Sequence, residues 1–290
     1  GIPRRPRRPA MTPLRLGSLC TGIAGLELGL TLAGIETETV FVSDIDRGAN
    51  RWLDANEAAP NLGDFTALDE LPEVDLIVAG FPCQPVSTAG QRAGVHDERW
   101  LFDDITRLVG RMGTRPDLFL ENVPGLLSAN GGDAMGRVVY GLAGIGYGIT
   151  WGTLSAAAVG APHRRNRWWG LAYPAHADSG RMESPRRLEP LRHHADRCPS
   201  ARPRARATSF GRYWPAVTRW ETILGRPAPD PTDDGRLAPA FVEWMMGYPA
   251  GWVTNTLTNR REALHALGNA VVPQCVAAAF VALEARSRPL

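Results

Sequence analysis

The chain has 290 residues, 44% of them hydrophobic, enough for one large domain with a small appendage and a substantial core. Formal net charge is only +2, no run approaches the roughly 18 apolar residues of a membrane span, and no apolar signal stretch opens the chain, so the expectation is a soluble, cytoplasmic protein. All 32 basic residues are arginine, which GC-rich coding explains more readily than selection; Cys20, Cys83, Cys198 and Cys275 form no C-x-x-C pair, which argues against a zinc ribbon or a disulfide framework.

Residues 1–13 begin with an Arg/Pro run of a kind that does not pack, and read as a disordered basic tail with Met11 a candidate native start. From Leu14 short apolar runs alternate with amphipathic segments, as a wound α/β sheet requires. Strands are expected over Leu14–Leu19, Thr39–Ser43, Asp75–Ala79, Leu118–Leu120 and Trp168–Leu171. Helices are expected over Ala24–Ala33, stopped by Gly34, Arg47–Ala58, stopped by Pro60, Arg99–Met112 and Asp133–Ala143. Between about Pro174 and Asp234 the texture turns Arg- and Pro-rich with few aliphatic runs. That is the mark of an inserted, surface-rich segment, and Arg181 to Arg226 holds eleven arginines against four acids. An apolar stretch, Phe241–Met246, and a closing helix from Pro273 to about Ala285 complete the chain. The division is a catalytic and cofactor-binding domain over 14–173, a recognition region over 174–235 and a C-terminal segment over 236–290 that completes the first.

Four stretches carry chemistry. Ser18 to Gly25 runs from a strand through a glycine-containing turn into a helix start, where small residues let a ligand approach backbone N–H groups. Asp44 closes the next strand, where a carboxylate can hold ribose hydroxyls or equally cap the helix from Arg47. Asp64 could bind an adenine amino group with Phe65 beside it, or simply make a turn. Asp75 to Pro85 is a buried-looking strand that breaks at Gly80 and presents Cys83 in a loop rigidified by Pro82 and Pro85, well placed for nucleophilic attack; a lone cysteine is otherwise most often a small buried hydrophobe.

Gly80-Phe81-Pro82-Cys83-Gln84 resembles the catalytic loop of the cytosine-5 DNA methyltransferases, and further blocks of that family follow in its order. Glu121-Asn122-Val123 is similar to the Glu-Asn-Val block, Pro162 to Arg167 to the Gln-x-Arg-x-Arg block, Arg236 to Pro249 to the block that packs the recognition segment, and Gly268 to Pro273 to the C-terminal Gly-Asn-x-Val block. The resemblance covers about Leu14 to Trp169 and Arg236 to Ala285. It departs at His163, where glutamine is usual, and at Cys20, where a phenylalanine usually faces the adenine.

The resemblance implies a Rossmann-like S-adenosylmethionine-dependent fold, mixed and mostly parallel, with a small recognition domain. It implies methyl transfer to carbon 5 of a flipped cytosine in double-stranded DNA. Cys83 would add to carbon 6, Glu121 would bond nitrogen 3 and the amino group, Arg165 would sit on the carbonyl oxygen and Arg167 beside it. S-adenosylmethionine would be held by Cys20, Thr21, Gly22, Ile23, Ala24, Gly25, Asp44, Ile45, Asp64, Phe65, Gly80, Pro82, Leu101, Asn269, Ala270 and Val271. No metal is expected, the enzyme is expected to be a monomer, and the loop from Ser87 to Arg99, with Gly90 and Gly94 as hinges, is expected to close over bound DNA. The alternatives are a transfer-RNA cytosine-5 methyltransferase and an inactive DNA-binding relative; the first turn lacks the full G-x-G-x-x-G spacing of a dehydrogenase.

Overall fold

The computed structural model describes residues 12–82, 100–175, 186–187 and 210–287. Strands β1 (Leu14–Leu19), β2 (Thr37–Ser43), β3 (Leu76–Gly80), β4 (Asp117–Asn122), β5 (Tyr147–Ser155), β6 (Asn166–Pro174) and β7 (Arg186–Arg187) form one sheet in the order β2-β1-β3-β4-β6-β5-β7. β1 to β4 are mutually parallel and β6 runs antiparallel to both β4 and β5. The expected mixed, mostly parallel sheet is present.

Strand side chains alternate between two cores. Leu76 and Val78 face one with Phe119, Trp169 and Leu171; Ile77 and Ala79 face the other with Leu118, Leu120 and Trp168. Helices α1 (Gly25–Leu32) and α2 (Arg47–Asn56) cover the first face, while α3 (Phe102–Val109) and α4 (Asp133–Gly144) cover the second. The first face also carries α5 (Trp214–Leu224), α6 (Pro239–Met245), α7 (Arg260–Asn269) and α8 (Pro273–Ser287). α1 and α8 touch backbone to side chain, since a Cβ on Gly29 would lie 2.2 Å from Val276 Cβ. Any larger residue there would drive the two helices apart.

Differences from the sequence reading have local causes. β5 went unforeseen because Gly148 and Gly152 dilute its strand signal, yet Tyr147, Ile149 and Trp151 alternate onto one core. α3 is shorter than Arg99–Met112, because Gly110 caps it and Arg111 and Met112 follow in a turn. α5 begins with Pro215 in its first turn and lies within the region read as inserted and surface-rich. Its Trp220 is fully buried and donates to the Trp244 carbonyl at 2.9 Å, so from about residue 210 that region packs into the same core as α6. Phe210, Trp214, Phe241 and Trp244 continue the contact as a stacked aromatic row, with centroids 5.7–6.1 Å apart.

Arg260–Ser287 is long and apolar enough to match a membrane span by composition alone. It is two helices broken at Ala270–Val272, and α8 packs on α1, β5 and β6, which marks a core helix.

Candidate functional site

The carboxyl ends of β1, β2, β3 and β4 open on one cavity of about 450 Å³, within the usual range for small-ligand sites. Its floor is the turn after β1. Cys20, Gly22 and Ala24 hold φ of 53°, 60° and 54°, the left-handed region, so three residues out of five turn the chain sharply. A Cβ on Gly22 would meet nothing within 4 Å, which leaves its backbone open to a ligand. Trp252 steadies this turn from the far end of the chain by donating from Nε1 to the Ile23 carbonyl at 2.9 Å.

Asp44 accepts from the Gly22 N–H through Oδ2 and from the Asp46 N–H through Oδ1, both at 2.8 Å. The cap of α2 is Asp46, which accepts from Gly48 and Ala49, so Asp44 is left to the cavity. Burial raises the Asp44 carboxyl above its ordinary range, with the two backbone donors opposing. Asp64 makes its turn, accepting from the Thr66 N–H and hydroxyl, and still lines the cavity. Ile23, Ile45, Phe65 and Leu101 supply apolar walls. The Cys20 thiol also lines it, pushed up to about 12 by burial and by Asp44 and Asp64, so it is an inert wall and not a nucleophile.

At the other end, β4 ends in Glu121, 9% exposed, whose Oε1 lies 2.7 Å from Arg167 Nε on β6. The antiparallel register, Glu121 opposite Trp169, sets the two chains side by side. Burial raises the Glu121 carboxyl, against the lowering pull of Arg167 and Arg165. Asn122 donates from Nδ2 to the Phe81 carbonyl at 3.3 Å and so ties β4 to the segment leaving β3. Phe81 also packs edge-on against Trp100, centroids 6.1 Å apart.

Most of the expected site residues meet here. Glu121, Arg165, Arg167, Thr21, Gly22, Gly25, Gly80, Pro82, Asn269, Ala270 and Val271 all line the cavity, with the walls just named. Ala24 does not line it; it is buried at the start of α1. Cys83 lies outside the described residues, next in sequence to Pro82, as does the expected closing loop Ser87–Arg99.

The two arginines make different contacts within the protein. Arg165 spends Nη2 on the carbonyls of Gly268, 3.0 Å, and Ala270, 2.5 Å, pinning the C-terminal loop, and burial pulls its pKa down to about 10. Arg167 is the arginine on the Glu121 carboxylate. His163, where glutamine is usual in the family, has Nε2 3.1 Å from the Met245 carbonyl, which ties the turn before β6 to α6. Tyr248 was not foreseen as a site residue: it lies in a stretch read only as packing, yet it is fully buried at the cavity wall. Among the described residues no group of three or more His, Cys, Asp or Glu is arranged to hold a metal.

The floor thus suits a ligand with vicinal hydroxyls and a charged amino-acid end, and the far end suits a heterocycle with a ring nitrogen and a carbonyl. The C-5 cytosine-specific DNA methylase family matches residues 14–190, more than half of the chain. Among curated proteins, the chain is 35% identical over 153 residues to the type II methyltransferase M.BsuFI of Bacillus subtilis, covering 51% of this chain and 36% of that one. It is 33% identical over 159 residues to M.MspI of Moraxella sp, covering 53% and 37%. The chain therefore spans little more than a third of the length of these relatives. Among solved structures it is similar to Dnmt2 methyltransferase of S. pombe, with TM-score 0.63, 19% identity, and 94% of this chain and 99% of that one covered. It is also similar to EhMeth of Entamoeba histolytica, with TM-score 0.65, 13% identity, and 96% and 100% covered.

Proposed function

The chain belongs to the C-5 cytosine-specific DNA methylase family, and from that membership we propose that it transfers a methyl group from S-adenosylmethionine to carbon 5 of a flipped cytosine in double-stranded DNA. The observation that carries the reading is one cavity with the Gly22–Asp44 floor at one end and the Glu121–Arg167 pair at the other, beside the strand that leads into Cys83. S-adenosylmethionine fits the floor: Asp44 for the ribose hydroxyls, Asp64 and Phe65 for the adenine, the turn from Cys20 to Gly25 for the amino-acid end, and Asn269 to Val271 as the closing wall. Bound there, it supplies an electrophilic methyl group.

Carbon 5 of cytosine is too weak a nucleophile to take that methyl group unaided. The Cys83 sulfur bonds to carbon 6 as Glu121 gives a proton to nitrogen 3, and the resulting enamine makes carbon 5 nucleophilic. Once methylated, carbon 5 loses its proton to water or hydroxide, the carbon–sulfur bond breaks with its electrons returning to Cys83 as the thiolate, and nitrogen 3 returns its proton to Glu121. Burial raises the Glu121 carboxyl and so favours its holding the proton that this step needs, against the pull of Arg167 and Arg165. Because Arg165 is occupied by the C-terminal loop, the reading exchanges the expected roles: Arg167 meets the cytosine carbonyl oxygen and Arg165 positions the loop.

The target carbon is hidden inside a duplex, so the base must be turned out of the stack, at about a few kcal/mol that protein contacts offset. The Arg-rich region 174–235 is the recognition element, with arginine forks reading guanine edges and gripping phosphates. Its base sequence is to be found by experiment. Incubating the protein with tritiated S-adenosylmethionine and either mixed-sequence duplex DNA or transfer RNA tests the reading. Label in 5-methylcytosine of DNA is the expected result; label in RNA alone, or in neither, overturns it.

A further inference from the structure

Beneath the cavity floor lies a group of buried polar atoms that the proposed reaction does not use. Ser18 and Tyr248 are fully buried and Glu27 is 8% exposed. The Ser18 hydroxyl, both carboxyl oxygens of Glu27 and the Tyr248 hydroxyl lack a partner in hydrogen-bonding geometry, as does Arg165 Nε. The Ser18 hydroxyl lies within hydrogen-bonding reach of the Glu27 carboxyl and is the largest influence favouring its charged form, though out of line for a well-formed bond. A protein seldom buries so many unpaired polar atoms together, because each one left dry costs stability.

Their placement is set by the fold. Ser18 lies two residues after Leu16 on β1 and so faces the core that α1 covers, and Glu27 is in the first turn of α1. A Cβ on Gly25 would stand 2.2 Å from Tyr248 Oη, so only glycine lets the phenol lie against the backbone there. Gly25 and Tyr248 both line the cavity where the amino-acid end of the donor would sit. Glu27, Arg165 and Glu121 are the charged groups acting on the phenol. The polar group therefore runs from the floor of the donor end towards the carboxylate of the base end.

We infer that Ser18, Glu27 as its neutral acid, and Tyr248 enclose a site for internal water beneath the donor pocket, and that through it Glu27 is a positioning residue that holds Tyr248 against Gly25. The water site rests on the unpaired groups; only its effect on S-adenosylmethionine rests on the functional reading above. A water with two to four polar partners satisfies atoms that cannot reach one another. Burial pushes the Glu27 carboxyl up to about 7, so it changes charge near neutrality. The groups facing Glu27 are Ser18 from β1, Glu57 beyond α2 and Tyr248 after α6, while α8 packs Val276 and Pro273 against Gly29 of the same helix. None of them is a cation, so the ionised carboxylate lies buried without a counter-charge, a state that the closed packing around Tyr248 disfavours.

The test is S-adenosylmethionine affinity by calorimetry from pH 6 to pH 8, for wild type and Glu27→Gln, with melting temperatures of the donor-free proteins over the same range. The ratio of wild-type to Glu27→Gln affinity is expected to fall roughly five- to tenfold from pH 6 to pH 8, the donor's own titration cancelling in the ratio. Glu57→Gln is expected to keep that fall, and Tyr248→Phe to lose it. Donor-free wild type is expected to melt progressively lower than Glu27→Gln as pH rises. A ratio that stays constant, with parallel melting curves, overturns the proposal. If no donor binds either protein at any pH, the functional reading fails and the melting curves alone decide this one.

Discussion

At the donor end of the cavity, Gly22, Asp44 and Asp46 are joined by hydrogen bonds that span at most 22 residues. At the base end, Arg165 reaches 103 and 105 residues along the chain to Gly268 and Ala270, and Arg167 meets Glu121 from a separate strand. The first region is made of turns that the local sequence dictates; the second is made of buried charges brought together only when β4, β6 and the last two helices have docked. Backbone donors at a strand edge can be laid down locally. A carboxyl whose pKa burial raises needs the whole core around it, because desolvation is what raises it.

Breaking the base end should therefore cost chemistry most. Arg167→Ala leaves Glu121 without its 2.7 Å partner and is expected to slow single-turnover methylation about 10²- to 10³-fold while the donor still binds. Should Arg165→Ala instead produce that loss with donor affinity intact, the exchange of roles between the two arginines is wrong. The expected effect of Arg165→Ala lies elsewhere: with the Gly268 and Ala270 carbonyls released, donor affinity falls about tenfold or more, read by calorimetry.

Two changes at the donor end sharpen the contrast. Asp44→Ala removes both the Gly22 brace and the ribose acceptor, and should weaken donor binding about tenfold, leaving the rate at saturating donor little altered. Glu27 supplies a stability effect with a definite sign. Its folded pKa is raised from 4.5 to about 7, so between those values the unfolded chain has released a proton that the folded one still holds. Stability thus falls as pH rises through that window, by on the order of 3 kcal/mol once pH exceeds 7, and denaturant titrations of Glu27→Gln should lack this decline. The smallest effect is expected at Ala24, whose φ of 54° suits glycine: Ala24→Gly should stabilise the protein by roughly 0.5–1 kcal/mol, seen as a slightly higher melting temperature.

The same contrast explains what the sequence reveals. β1 matches its expected bounds, and the turn from Cys20, with Asp44 and Asp64 after the next two loops, is readable because strand, turn and helix signals there are contiguous. The role of Asp44 was open between cap and ligand until Asp46 was seen to take the cap. At the base end the resemblance supplies Glu121 and the arginine block, yet spacing alone does not say which arginine is consumed by the C-terminal loop, since Gly268 lies far away in sequence. Tyr248 and Glu27 are illegible for a related reason. A glutamate in the first turn of a helix ordinarily reads as a solvated partner of the helix dipole, and only the packing of α1 on the sheet buries it. β5 hides behind its glycines, and α5 behind the arginines and prolines around it.

The account stands most directly on Cys83. Duplex DNA in which 5-fluorocytosine replaces cytosine should trap the enzyme once carbon 5 is methylated, because fluorine cannot leave as a proton would. Denaturing mass spectrometry of the adduct, after proteolysis, is expected to find a methylated fluoropyrimidine on the peptide that contains Cys83, and no adduct with Cys83→Ser. An adduct on another residue, or none in DNA of any sequence when S-adenosylmethionine is bound, would contradict it.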